Sequence, residues 1–322
     1  MTIAINDLLR EGVIAHQTGN LAEAARLYLA ALELDADNAS AHNNLGFVLA
    51  QQQQWSESLV HLRTALRLNP HMSMAHCNLG QVLVNTGQPA EGLTHLEQAT
   101  ACDPDNITAW DNLARIRVLL GDFQGGEYAA IRALKLQPNA PHLHTRLGIA
   151  VAAQQRLAEA VQHYRQALAL DGNHQEAWAQ LGITCFLRND LGSAREALVT
   201  ALTLNQEDHN ALRHLALVNL SLGNRDVAIA QFEHLLELNP SDEASRLDLA
   251  VILLSAHQPA AALENLDSIN GEVRASSKFR FYLGLALQQS GEQEAGVKLL
   301  RQLADLPDDE YGVKARQMLL VS

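Results

Sequence analysis

The sequence predicts an all-α solenoid in which one helix–turn–helix unit is repeated nine times. Three observations carry that prediction. A 34-residue period runs from Ile5 to Glu310 without insertion or deletion. Two phases of the period hold only small residues. Apolar residues at unit positions 7, 11, 21, 24 and 28 follow helical rather than strand spacing.

Counting Ile5 as position 1, the units span 5–38, 39–72, 73–106, 107–140, 141–174, 175–208, 209–242, 243–276 and 277–310. Position 8 reads Gly12, Gly46, Gly80, Ala114, Gly148, Gly182, Ala216, Ala250 and Gly284. Position 20 reads Ala24, Ser58, Gly92, Gly126, Ala160, Ala194, Ala228, Ala262 and Gly296. Small residues at both phases let two helices approach closely. Position 15 carries Gly19, Gly87, Gly121, Gly223 and Gly291, with Asn189 in the sixth unit, and supplies the left-handed residue that ends a first helix. Pro70, Pro104, Pro138 and Pro240 at position 32 stop the second helix. Beyond the ninth unit, residues 311–322 read as a capping helix, with Val313, Arg316, Gln317 and Leu320 spaced to cover the last apolar face.

The last three units depart from the pattern. Position 27 is Ala in the first six and becomes Leu235, Ile269 and Leu303. The eighth unit lacks its proline and runs through "DSINGEVRASSK". The sequence therefore predicts a less regular C-terminal third, with a sub-boundary near 208–242.

This pattern resembles the tetratricopeptide repeat (TPR) family over nearly the whole chain. The family's W…LG…Y…A…F…A…P pattern shows as Trp178, Leu181, Gly182, Ala194 and Ala201 in the sixth unit. In the fifth it shows as Leu147, Gly148, Ala160, Tyr164 and Ala167. The resemblance implies a right-handed superhelix whose first helices line a concave groove through positions 2, 5, 6, 9, 12 and 13.

Composition narrows the function. The chain has 322 residues, 48% of them hydrophobic, and a formal charge of −13, so no basic stripe is available for nucleic acid. Cys77, Cys102 and Cys185 are scattered and odd in number, which points to a reducing, cytoplasmic setting. The start "MTIAINDLLREG" has no secretory pattern, and "LDLAVILLSA" is too short to span a bilayer. No membrane insertion is expected.

Fourteen histidines invite a metal or catalytic reading, but their phases oppose it. His42, His76 and His144 share position 4, where the family packs a planar residue. His61, His95 and His163 share position 23. No phosphate loop, dinucleotide fingerprint, nucleophile elbow or HExxH occurs. The expectation is a non-enzyme without metal or cofactor.

Carried over from the resemblance, the groove is polar early and apolar late. Its polar part holds Asn44, Asn78 and Asn112 at position 6, together with Asp111, Arg115 and Arg146. An amide offers both donors and an acceptor, so the asparagines form a ladder for an extended peptide backbone, similar to that in the TPR arms of O-linked N-acetylglucosamine transferases. Asn43, at position 5, has no phased counterpart in Cys77 or Asp111 and reads as a bystander. The apolar part holds Phe186, Leu187, Leu217, Leu220, Leu254 and Phe281, suited to an amphipathic partner or to self-association. Arg10, Arg115, Arg146, Arg213 and Lys278 are too dispersed for the carboxylate clamp of chaperone-binding relatives. The implied function is a protein-interaction scaffold that binds extended or helical peptide segments. Two alternatives are the recruiting arm of a separately encoded glycosyltransferase and a chaperone for an assembly or secretion subunit.

Overall fold

The computed structural model describes residues 2–306 and 308–320, which form twenty helices and no strand. First helices of the repeats are α1 (Thr2–Gln17), α3 (Ala39–Gln51), α5 (Ser73–Asn85), α7 (Ile107–Leu119), α9 (Pro141–Ala153), α11 (Gln175–Leu187), α13 (His209–Ser221), α15 (Glu243–Ser255) and α18 (Ser277–Gln289). Second helices are α2 (Leu21–Leu34), α4 (Trp55–Leu68), α6 (Pro89–Cys102), α8 (Phe123–Leu136), α10 (Leu157–Leu170), α12 (Leu191–Leu204), α14 (Arg225–Leu238), α16 (Pro259–Asp267) and α19 (Gln293–Ala304). Two compact units comprise Met1–His174 and Gln175–Ser322. Each is a stack of such helix pairs.

The pair is held at one close crossing. The position-24 side chain, fully or almost fully buried in every repeat (Tyr28, Leu62, Leu96, Ala130, Tyr164, Leu198, Phe232, Leu266, Leu300), lies against the small residue at position 8. In the third repeat the crossing is close from both sides. A Cβ on Gly80 would stand 2.9 Å from the Gly92 carbonyl, and one on Gly92 would stand 2.7 Å from the Gly80 carbonyl. Backbone blocks backbone there, so glycine is required despite its cost in a helix.

The turn after the first helix repeats without exception. All nine position-15 residues have positive φ, from 57° at His257 to 99° at Gly291. Five glycines and Asn189 are joined by Gln53 (φ 60°), Gln155 (64°) and His257 (57°), whose residue type gives no signal. Polar residues then cap the helices: Asn38 and Asn106 accept from Ala41 and Ala109 N–H at 3.0 Å, and Asp208 from Ala211 at 3.0 Å.

Position 4 has a second task besides packing. His42, His76, Trp110, His144 and Arg246 each donate to the carbonyl six residues back, on Ala36, Pro70, Pro104, Pro138 and Pro240, at 2.7–3.0 Å. A planar or forked donor thus ties the start of these five first helices to the preceding loop.

The expected irregularity falls in the eighth repeat. Its second helix stops at Asp267, and a four-residue helix, α17 (Glu272–Ala275), fills the connection. Glu243 accepts from the Asn270 and Gly271 backbone N–H groups at 2.9 and 2.7 Å and holds that segment. Leu235, Ile269 and Leu303 are buried, as the larger residues at position 27 require.

A last helix, α20 (Glu310–Leu319), packs on the ninth repeat, and of the four predicted residues only Arg316 takes part. Tyr311, Ala315 and Leu319 meet Phe281, Leu300 and Leu303, whereas Val313 is 40% and Leu320 86% exposed. Spacing identified the helix, but its apolar stripe runs through Tyr311, Ala315 and Leu319 instead of Val313 and Leu320. Arg316 donates to the Ala304 and Leu306 carbonyls at 2.6 and 3.3 Å, closing the end of α19.

Replacing Gln53, Gln155 or His257 with glycine relieves the left-handed strain of a residue with a Cβ and is expected to stabilise the local unit by about 0.5–1 kcal/mol. Gly121→Ala is expected to lose a similar amount. Shifts in the midpoint of urea unfolding check both signs.

The face of the first helices as a candidate peptide-binding site

The first helices of neighbouring repeats lie side by side, so their exposed edges form one face within each unit. On that face, position 5 of one repeat meets position 6 of the next. Asn78 Nδ2 donates to Asn43 Oδ1 at 2.9 Å, and Asn112 Nδ2 points at Cys77 Sγ at 3.5 Å. Arg146 Nε donates to Asp111 at 2.9 Å, and Arg213 Nη2 to Asp248 at 2.5 Å. All four contacts span 35 residues. They fix the register of adjacent repeats with polar groups.

Asn43 is therefore no bystander. It is 5% exposed, accepts from Asn78 and donates to Asn44 Oδ1 at 3.1 Å. Asn78 is 9% exposed, and both it and Asn112 spend a donor on the preceding repeat. Asn44 remains half-buried on the face. Arg146 and Asp111 pair at 16% and 22% side-chain exposure. Arg115 donates Nη2 to Gln81 Oε1 at 2.5 Å and makes no ion pair among the described residues. Its pKa is pulled down by burial first and by the Arg146 charge second, with Asp111 opposing.

The apolar stretch in the second unit is largely core. Leu254 is 4% and Phe281 8% exposed, each packed between helices, and Leu217 and Leu220 lie half-buried against the same cluster. Positions 5 and 12 can turn apolar side chains inward between neighbouring first helices, which the sequence reading had assigned to the groove. Phe186 is half-buried beside His214, with ring centroids 6.4 Å apart, and Leu187 is 60% exposed. A charged cluster stands on this face as well: Asp248, 12% exposed, takes Arg213 from the preceding repeat and Lys278 Nζ from the following one at 2.7 Å.

In the first unit, α3 and α5 leave a pocket of about 190 Å³, lined by Phe47, Ala50, Gln51, Trp55, Asn78, Gln81, Val82 and Asn85. Four of the lining side chains are apolar and four are neutral amides. Most of the lining was legible as groove positions, but the enclosure by Trp55, which comes from the start of α4, was not.

Three histidine pairs sit between the helices of the second, third and fifth repeats. His42 and His61 Nδ1 atoms lie 2.9 Å apart, and those of His76 and His95 lie 3.0 Å apart. Since Nε2 of His42 and His76 donates to a carbonyl, a neutral ring leaves Nδ1 as acceptor, and the partner must donate. His144 and His163 stack with centroids 6.5 Å apart, their Nδ1 atoms without hydrogen bonds. Among the described residues no group of three or more His, Cys, Asp or Glu is placed to hold a metal ion.

Family profiles described as TPR repeat or tetratricopeptide repeat match residues 12–53, 49–116 and 151–217, and 112–175 and 215–269. The chain belongs to the tetratricopeptide repeat family. Human protein O-mannosyl-transferase TMTC3 is 28% identical over 180 residues, 54% of this chain and 19% of that protein. The chain thus spans about a fifth of the curated relative it matches. Among solved structures, the APC/C hetero-tetramer Cut9–Hcn1 gives a TM-score of 0.64 at 17% identity, covering 88% of this chain and 52% of that one. A tetratricopeptide repeat protein from Parabacteroides merdae gives 0.62 at 13% identity, covering 77% and 98%. These likenesses show the fold.

Two outcomes follow. Asn78→Ala strands the buried Asn43 carbonyl and is expected to cost about 1–2 kcal/mol, with the Asn43→Ala/Asn78→Ala double variant losing less than the sum of the singles. Urea unfolding of the three variants measures this coupling. Burial, with a neighbouring imidazole adding to it, lowers the pKa of His61, His95 and His163 below 6.5, while Glu57, Glu91 and Glu159 oppose. The unfolded chain then takes up protons first, so stability is complete above pH 6.5 and is lost as pH falls through the depressed folded values. His61→Gln/His95→Gln is expected to flatten the acid side of a melting-temperature profile.

Proposed function

We propose that the chain is a non-catalytic scaffold that holds extended or helical peptide segments of a partner protein against the face of its first helices. The observation that carries this reading is the pocket between α3 and α5, lined by apolar side chains and neutral amides on a face otherwise locked by inter-repeat pairs. Membership in the repeat family and the absence of a three-ligand metal cluster among the described residues fit a binding role. No described helix is long and apolar enough to cross a membrane, and the three cysteines are free, which fits work in the cytoplasm.

Similarity to a protein O-mannosyl-transferase supports a second reading, in which the scaffold recruits substrates for sugar transfer by another chain. The fraction of that relative matched, 19%, leaves its chemistry outside the comparison.

Photo-crosslinking in the cells that make the protein tests both readings. A photoreactive residue at Phe47, 36% exposed on α3, is expected to trap a discrete partner; one at Val60, 63% exposed on α4, is expected not to. Equal trapping from both sites, or none from Phe47, contradicts the scaffold reading. A trapped sugar-transfer enzyme or its protein substrate selects the second.

A further inference from the structure

The rim of the pocket between α3 and α5 has a polarity that residue identities alone do not show. Arg115 can only donate, so Gln81 must turn its oxygen to that guanidinium, 2.5 Å away. The Gln81 amide nitrogen is thereby aimed at Asn85 Oδ1, which it reaches at 2.9 Å. Asn85, exposed at the end of α5, has its oxygen occupied and nothing among the described residues accepting from its NH2 group. On the opposite wall Gln51 Oε1 accepts from His16 Nε2 at 2.8 Å, and His16 in turn stands edge-on to Phe47. Three of the four amides lining the pocket thus accept on their oxygens and keep N–H groups for a ligand, while the fourth, Asn78, spends a donor on Asn43.

The charges beside the pocket have the same sign. Arg146 takes up Asp111 at 2.9 Å, leaving Arg115 half-buried with an amide oxygen as its partner and no carboxylate. No acidic residue lines the pocket, although the chain as a whole carries a charge of −13. Half of the lining, Phe47, Ala50, Val82 and Trp55, is apolar, and about 190 Å³ holds one medium-sized side chain.

We propose that this pocket selects acidic peptide segments: one aliphatic or aromatic side chain packs on the apolar half of the lining, and an Asp or Glu side chain within two residues of it accepts from the amide rim, with Arg115 behind. The inference rests on the scaffold reading above and gives its ligand a chemistry. Donors stand on both walls, from α3 and from α5, so a chain running through the pocket uses both, whereas a chain end reaches one. An internal carboxylate therefore fits better than a terminal one. A neutral backbone rung would instead bring its N–H to an amide oxygen, and the oxygens of Gln51, Gln81 and Asn85 each already accept one hydrogen bond, so the rim favours a ligand that accepts over one that donates.

The test is an array of short peptides, acetylated and amidated at their ends, that pair every apolar residue with Asp, Asn, Lys or Ser at neighbouring positions, probed with the full chain. Binding is expected to concentrate on peptides with an apolar residue next to or one removed from Asp. Asn85→Asp, an isosteric change at an exposed site that replaces the donor with a carboxylate, is expected to reduce binding at least about tenfold, and Asn85→Ser only slightly. Phe47→Ser is expected to remove the apolar preference, with an unchanged melting curve showing the fold intact. Equal binding of Asp and Asn peptides, indifference to Asn85→Asp, binding only of peptides with a free carboxyl end, or no binding at all overturns the proposal. If crosslinking at Phe47 traps a partner while the array shows no acidic preference, the pocket chemistry fails and the scaffold reading stands.

Discussion

The structure depends on how closely the two helices of a repeat cross. At Gly80 and Gly92 each helix presents its backbone carbonyl where the other would place a Cβ. That approach lets a residue as large as Tyr28, Tyr164 or Phe232 at position 24 be buried against its neighbours. A single helix pair exposes too much of this core to stand alone, and stacking covers it. Everything polar on the exposed face is arranged around that stack.

The stack needs a register as well as a core, because apolar side chains alone tolerate sliding. Contacts spaced by 35 residues supply it. Asn78 with Asn43, Arg146 with Asp111 and Arg213 with Asp248 use different chemistry to the same geometric end. Their burial makes each partner costly to strand, so a slipped repeat is penalised. The same pairs occupy groups that a groove would otherwise offer to a ligand, and this concentrates the available donors at a few places, notably Gln51, Gln81 and Asn85.

The fold was legible because the period has no breaks. Phase, more than residue type, was the informative quantity: Gln53, Gln155 and His257 adopt left-handed backbone as Gly121 does, and only their position reveals it. The register contacts were harder to read. Position 5 runs Asn43, Cys77, Asp111 and accepts from position 6 of the next repeat, whereas Arg213 at the same phase donates to it, so identity and direction drift while the pairing persists. Opposite charges 35 residues apart, Asp111 with Arg146 and Arg213 with Asp248, were the available signal. The apolar face of the second unit was misread for a related reason. Leu254 and Phe281 sit at groove phases yet turn into the core, and periodicity cannot tell a side chain facing a neighbouring helix from one facing solvent. The pocket's polarity was not legible at all, since it depends on which way three amides are turned.

The central claim is that the first helices form the working surface and the second helices the support. Hydrogen exchange of the full chain, alone and with a captured partner, addresses it most directly. The account predicts slowed exchange in α3, α5 and α7 with α6 and α8 unchanged. Protection confined to the second helices would contradict it.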